Sequence, residues 1–206
     1  MSWIKTVSYE DATGPLKKLY DKVKGPDNNV DNIMLAHSLR PHTMEGHMTI
    51  YKYVLHHPRN TVPKWFLEAI GVYVSYLNRC SYCFEHHYAG MQRLLAEKGE
   101  HPPHYADRIK QSLKTHQFDD AFDTKHAKVF DYVRVLTTSP SNVGKRDVEK
   151  LLALGWSDGE VLEINQVTAY FAYANRTVTG LGINTDGDIL GLSPNDGEAL
   201  DNWNHS

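Results

Sequence analysis

A chain of 206 residues is long enough for one domain with a substantial buried core. It is 41% hydrophobic and 23% charged, with a formal net charge of −3 and its charges interspersed, as in a water-soluble globular protein. No basic stripe marks nucleic acid and no polybasic run marks an anionic membrane. The start, Met1-Ser2-Trp3-Ile4-Lys5-Thr6, lacks a hydrophobic signal core, and no apolar run approaches a membrane span, so a cytoplasmic protein is expected.

The periodicity along the chain is helical, and strand signals are scarce. Leu16, Leu19, Tyr20 and Val23 mark a first helix, opened by Pro15 and stopped at Gly25-Pro26. A short piece over Ile33–Leu39 ends before Pro41, and His42–Leu55 ends before Pro58. Pro63 opens the next helix, with Phe66, Ala69, Ile70, Tyr73 and Leu77 as its apolar face. Further helices are predicted over Ser81–Glu97, Tyr105–Thr115, Ala121–Leu136 and Val148–Leu154. Ser157-Asp158-Gly159-Glu160 is a capping box ahead of the apolar, aromatic run Leu162–Gly180. Residues 184–206 are polar and loop-like, and are expected to be a tail that packs on a neighbouring subunit. The fold class is therefore all-α.

One pattern repeats. Tyr73-x-x-Tyr76-x-Asn78-Arg79 recurs as Tyr170-x-x-Tyr173-x-Asn175-Arg176, an offset of 97 (170 − 73). The second copy carries Asn165, Thr177 and Gly180 where the first has Glu68, Cys80 and Cys83. Two similar helical units packed face to face follow, only one of them carrying redox groups.

Chemistry concentrates at Cys80-Ser81-Tyr82-Cys83-Phe84-Glu85-His86-His87, where the chain's 2 cysteines lie three positions apart. A CxxC in a reducing compartment is kept reduced, and any disulfide there is transient and catalytic. On a helix beginning near Cys80, Cys83 and His87 are i and i+4 and share a face. The helix N-terminus favours a thiolate. His86 points about a quarter-turn away, which makes His87 the preferred partner. Glu68 lies twelve positions before Cys80 (80 − 68) in an apolar helix. Twelve histidines are scattered along the chain and are expected to be solvated or at interfaces.

Glu68 followed by Cys80-x-x-Cys83-x-x-x-His87 resembles the signature of the alkylhydroperoxidase D branch of the carboxymuconolactone decarboxylase superfamily. The resemblance spans roughly Pro15 to Ile183. It implies a single AhpD-like all-helical domain over residues 1–183, with a catalytic half at about 15–100, a second half at about 101–183, and the tail at 184–206. It implies a redox-active Cys80/Cys83 pair served by a Glu68/His87 proton relay, a hydroperoxide substrate and a dithiol reductant, either a lipoyl or a thioredoxin-like protein. It also implies a homo-oligomer, trimer or hexamer, to which the aromatics Trp65/Phe66, Tyr73/Tyr76 and Tyr170/Phe171/Tyr173 add an independent reason. The chain departs from the family at Tyr82, where a histidine precedes the second cysteine in alkylhydroperoxidase D proper.

Cys83, the direct neighbour of His87, is expected to be the activated thiolate and Cys80 the resolving one, although Cys80 lies nearer the helix start. No cofactor, metal, nucleic acid or membrane is called for. Two alternatives stand beside this reading. One is a lactone decarboxylase working by acid–base chemistry. The other is a non-catalytic protein using Cys80, Cys83, His87 and a distant histidine to bind zinc.

Overall fold

The computed structural model describes residues 2–98, 101–102, 104–194 and 202–205. Among them are nine α-helices: α1 Gly14–Val23, α2 Asn32–Ala36, α3 Pro41–Leu55, α4 Lys64–Leu77, α5 Ser81–Lys98, α6 Tyr105–Thr115, α7 Thr124–Thr138, α8 Lys145–Ala153 and α9 Asp158–Gly180.

Helix boundaries follow capping chemistry. Ser157 and Glu160 form the expected capping box at α9, with the Ser157 N–H donating to Glu160 Oε2 at 2.7 Å and the Glu160 N–H to Ser157 Oγ at 3.2 Å. Two starts differ from the periodicity. Helix α7 begins at Thr124 rather than Ala121, because the Asp123 carboxylate accepts the His126 N–H at 2.9 Å and residues 118–120 form a separate 3₁₀ turn. Helix α8 begins at Lys145 rather than Val148, where the Asp147 carboxylate takes the Gly144 N–H at 3.0 Å.

Helix α4 is the axis of the core: residues 66–75 are all buried. Helices α5, α7 and α9 pack around it. The approach of α9 depends on Gly71, since a Cβ there would lie 2.2 Å from the Phe171 ring. Phe171 therefore sits on bare backbone of α4, an approach no larger residue allows. No helix among the described residues is long and apolar enough to cross a membrane.

Two sequence expectations are corrected. The described parts of the segment after Ile183 are irregular, as expected, and they pack on this chain, where a neighbouring subunit was expected. Trp203 is 5% exposed and His205 6%, and His205 Nδ1 donates to the Val23 carbonyl at 2.8 Å. Gly191 makes the close approach to α5: its φ is +82°, and a Cβ would lie 2.9 Å from the Ala89 backbone. The histidines are not uniformly solvated either. His37, His47, His56, His86 and His205 are buried. Of the aromatics assigned to an interface, Phe66, Tyr73, Tyr170 and Phe171 fill the interior, and only Tyr173 is exposed.

Candidate active site

The turn between α4 and α5 sets the site. Asn78 closes α4, Arg79 adopts a left-handed backbone (φ 55°), and the Cys80 N–H returns to the Ser75 carbonyl at 2.9 Å. This is a Schellman closure with arginine in the place usually given to glycine. It folds α5 back along α4 and leaves Cys80 directly before the first turn of α5, where the Phe84 N–H donates to its carbonyl at 3.1 Å.

The antiparallel pairing brings Glu68 and His87 together. His87 Nδ1 lies 2.6 Å from Glu68 Oε2, with the two side chains 13% and 3% exposed. Burial alone would raise the Glu68 carboxyl, but the charge and hydrogen bond of His87, with His56 and Lys64 nearby, hold it below its ordinary value. Phe171 sets an edge-on contact with the His87 ring at 4.5 Å, so the Gly71–Phe171 approach also fixes the imidazole.

All four residues singled out in the sequence thus meet at one place, with the two thiols facing different spaces. Cys83 lines a small, partly open cavity of about 40 Å³ together with Glu68, His87, Tyr51 and Tyr170. That space holds one or two water-sized molecules. Cys80 lines a separate open pocket of about 310 Å³ beside Arg79, Phe84 and Lys114. Both cysteines are free thiols.

The electrostatics favour a resting thiolate at Cys80, whereas the spacing to His87 points to Cys83. Cys80 is lowered to about 6. The main cause is the hydrogen bond from the Cys83 thiol; burial opposes it, and the Cys83 N–H, Thr179 and the His87 charge add to it. Cys83 is pushed well above its ordinary value, chiefly because its thiol donates to Cys80 and because it is buried. In the resting dithiol the negative charge therefore sits on Cys80, at the helix N-terminus, with the last proton on Cys83. The i, i+4 spacing to His87 identified the cavity-facing sulfur. It carried no information about helix-terminus hydrogen bonds.

Several residues of the cavity were not assigned to the site by the sequence. Tyr82, in the departure position, sends its hydroxyl to Asp188 Oδ2 at 2.7 Å. His47 lines the cavity from α3, and among the described residues its Nδ1 has no partner. Burial and the neighbouring His37, His205 and His87 lower His47 to about 3, so its ring is neutral. Tyr51 and Tyr170 stack across the cavity with ring centroids 5.5 Å apart. Among the described residues there is no group of three or more His, Cys, Asp or Glu placed to hold a metal ion.

No family model and no curated protein matches the chain. Solved structures do. One is described as an alkylhydroperoxidase AhpD core, an uncharacterized peroxidase-related protein from Ralstonia eutropha JMP134. It superposes with TM-score 0.72 at 19% identity, covering 91% of this chain and 93% of that one. A peroxidase-related protein from Silicibacter sp. TM1040 gives TM-score 0.66 at 21% identity, covering 77% and 78% of the two chains. A cysteine-to-alanine variant of the debrominase Bmp8, in complex with 2,3,4-tribromopyrrole, gives 0.66 at 15% identity over 89% and 91%. The chain has the AhpD-like all-helical fold, a fold shared by proteins named as peroxidase-related and by a debrominase.

Proposed function

We propose that the protein is a thiol-dependent peroxidase that reduces a small hydroperoxide and is regenerated by an external dithiol. The observation that carries this is the division of the cysteine pair: Cys83 faces a small, partly open cavity beside the Glu68–His87 pair, and Cys80 faces a wider, more open pocket. The hydroperoxide enters the cavity, where His47 offers an unmatched nitrogen. The shared proton passes from Cys83 to Cys80, leaving the charge on the cavity sulfur, and His87, held by Glu68, compensates it. Cys83 attacks the distal oxygen. The S–O bond forms, the O–O bond breaks, and the leaving oxygen takes a proton. The product is a Cys83 sulfenic acid and an alcohol or water. The Cys80 thiol then attacks the Cys83 sulfur, water departs, and a Cys80–Cys83 disulfide results. A dithiol, of lipoyl or thioredoxin type, reduces that disulfide through Cys80 from the open pocket, supplying two electrons and two protons and leaving as its own disulfide.

A cavity of about 40 Å³ favours hydrogen peroxide or the reactive end of a small hydroperoxide over a ring bearing three bromines. Peroxide treatment followed by mass spectrometry tests the scheme: the expected product has lost two hydrogens and recovers with dithiothreitol. Sulfonation as the main product, or no reaction, overturns it. Self-association as a trimer or hexamer is part of the same proposal. It is supported by Ile50 and Tyr53 on α3 and Leu162 and Tyr173 on α9, each between 43% and 56% exposed.

A further inference from the structure

Cys83 has two imidazoles on the next turn of α5, and the peroxidase scheme uses only one. His86 is i+3 and His87 is i+4, and both line the cavity with Cys83. They are held by different acids. His87 belongs to Glu68. His86 Nε2 lies 3.1 Å from Asp188 Oδ2, and these two side chains are 9% and 2% exposed.

Asp188 comes from the segment after α9 and is fixed in place. The Asn32 N–H at the start of α2 donates to both its oxygens, at 3.0 and 3.2 Å, and the Tyr82 hydroxyl donates to Oδ2 at 2.7 Å. Tyr82 also accepts the Ile33 N–H at 3.2 Å. Its hydroxyl is held well above its ordinary value, by burial first and then by Asp188 and Asp31, so it remains a donor. Asp31, 8% exposed and on the cavity wall, supplies a second acid beside this histidine. Burial pushes its carboxyl up to about 6, with His86 opposing and Asp188 adding to the rise.

Reduction of a hydroperoxide asks for two opposite proton operations in one transition state. The sulfur must be bare, and the departing oxygen must gain a proton, because hydroxide and alkoxide leave poorly. A single histidine that is compensating the thiolate does not supply both.

Resting on the peroxidase reading, we propose that His86, oriented by Asp188 and Tyr82, is the general acid that protonates the departing oxygen. As the thiolate forms the S–O bond and the O–O bond breaks, the departing oxygen takes the proton on Nδ1 of the His86 imidazolium. Nε2 stays with Asp188. His86 is left neutral and regains a proton from solvent before the next cycle. Asp188 and Asp31 supply the negative charge that accompanies the buried imidazolium.

The test compares two oxidants in single turnover, followed by disulfide formation. Hydrogen peroxide expels hydroxide, which needs the proton. Peracetic acid expels acetate, which does not. His86→Gln is expected to slow the first reaction by about 10²-fold or more and to leave the second close to wild type. Alkylation by iodoacetamide, which needs only a thiolate, is expected to be unchanged. Tyr82→Phe keeps the ring and removes only the hydroxyl, so it guards against misfolding; it should show a smaller loss with the same oxidant selectivity. Equal fractional losses with both oxidants, or no loss with hydrogen peroxide, overturn the assignment of His86 alone. A wild-type protein inert to both oxidants, with thiols that still alkylate, overturns the peroxidase reading and this proposal with it.

Discussion

Asn78 and Asn175 occupy the same place in the two copies of the repeated pattern, 97 positions apart, and their side-chain amides are hydrogen-bonded at 3.0 Å. Asn175 also donates to Ser75 Oγ at 3.1 Å, and its side chain hydrogen-bonds Cys83. It therefore couples the α4/α9 packing to the state of the cavity thiol. Replacing Asn175 with Ala leaves Asn78 and Ser75 without their partner, which is expected to cost about 1–3 kcal/mol in urea unfolding. Because Asn175 lowers Cys83, the same variant should make the cavity thiol still harder to ionise. An unchanged midpoint and an unchanged Cys83 reactivity would dissolve the coupling.

The Gly71–Phe171 approach makes a second prediction. Gly71→Ala puts a methyl where the Phe171 ring lies, so either α9 shifts or the ring swings away from His87. A loss of roughly 1–3 kcal/mol is expected, together with a fall in peroxide turnover larger than the loss of folded protein explains. Activity that tracks only the folded fraction would show that Phe171 has no hold on the imidazole.

The thiols should titrate separately. With Cys80 lowered to about 6, its alkylation rate should climb through that pH and level off slightly above neutral, since deprotonation makes the nucleophile. Cys80→Ser should still form a trapped sulfenic acid on Cys83. Cys83→Ser should keep rapid alkylation at Cys80 and lose the reaction with peroxide. The reverse pattern reverses the roles of the two cysteines.

Glu68→Gln and His87→Ala are each expected to slow turnover by about 10²–10⁴-fold. Both should slow Cys83 chemistry with every oxidant, because they act on the sulfur and not on the leaving group. Wild-type turnover in both variants would rule out the relay.

Acid should loosen the C-terminal wall. Burial lowers His205 to about 4 and His47 to about 3, so both are neutral in the folded protein near pH 7. A base with a folded value below its unfolded one contributes stability fully present above about 6.5 and lost as pH falls from there towards the folded value. Asp31 works the other way: its raised carboxyl is a penalty above about 6 that acid relieves. The two imidazoles outweigh it. Stability should therefore fall between about pH 6.5 and 4, and the buried Trp203 should gain solvent exposure, read as a fluorescence change absent from Trp203→Phe. A flat profile over that range would contradict the burial of neutral His205.

Light scattering addresses self-association: a single species at 23.5 kDa would sink the oligomer.

Much of this molecule was legible in its sequence because helix boundaries and the CxxC-x-x-x-His register are local. Proline, glycine and the Ser157 capping box set helix ends within a few residues. The spacing from Glu68 to His87 spans one tight turn, so an antiparallel helix pair delivers their contact. Asp188 and Asp31 were not legible, since their value lies in contacts across the fold that no period encodes. The helix start beside Cys80 was legible as a place that favours a thiolate, but the hydrogen bond from the Cys83 thiol that chiefly lowers Cys80 was not. Most of the aromatics read as an interface proved to be core, since α4 is buried on every side.

The wall built by the described residues between 188 and 205 also orders events in time. Asp188 meets Tyr82 across 106 positions of chain and His86 across 102, and His205 meets Val23 across 182. Contacts of such separation form late, after the helical hairpin of α4 and α5 has every local reason to assemble. On contact order alone, the α4–α5 hairpin that carries both sulfurs and the Glu68–His87 pair is expected to assemble before this wall docks. Docking of this wall is therefore expected to narrow the approach to Cys83, because Leu192, Ser193 and His205 line its cavity.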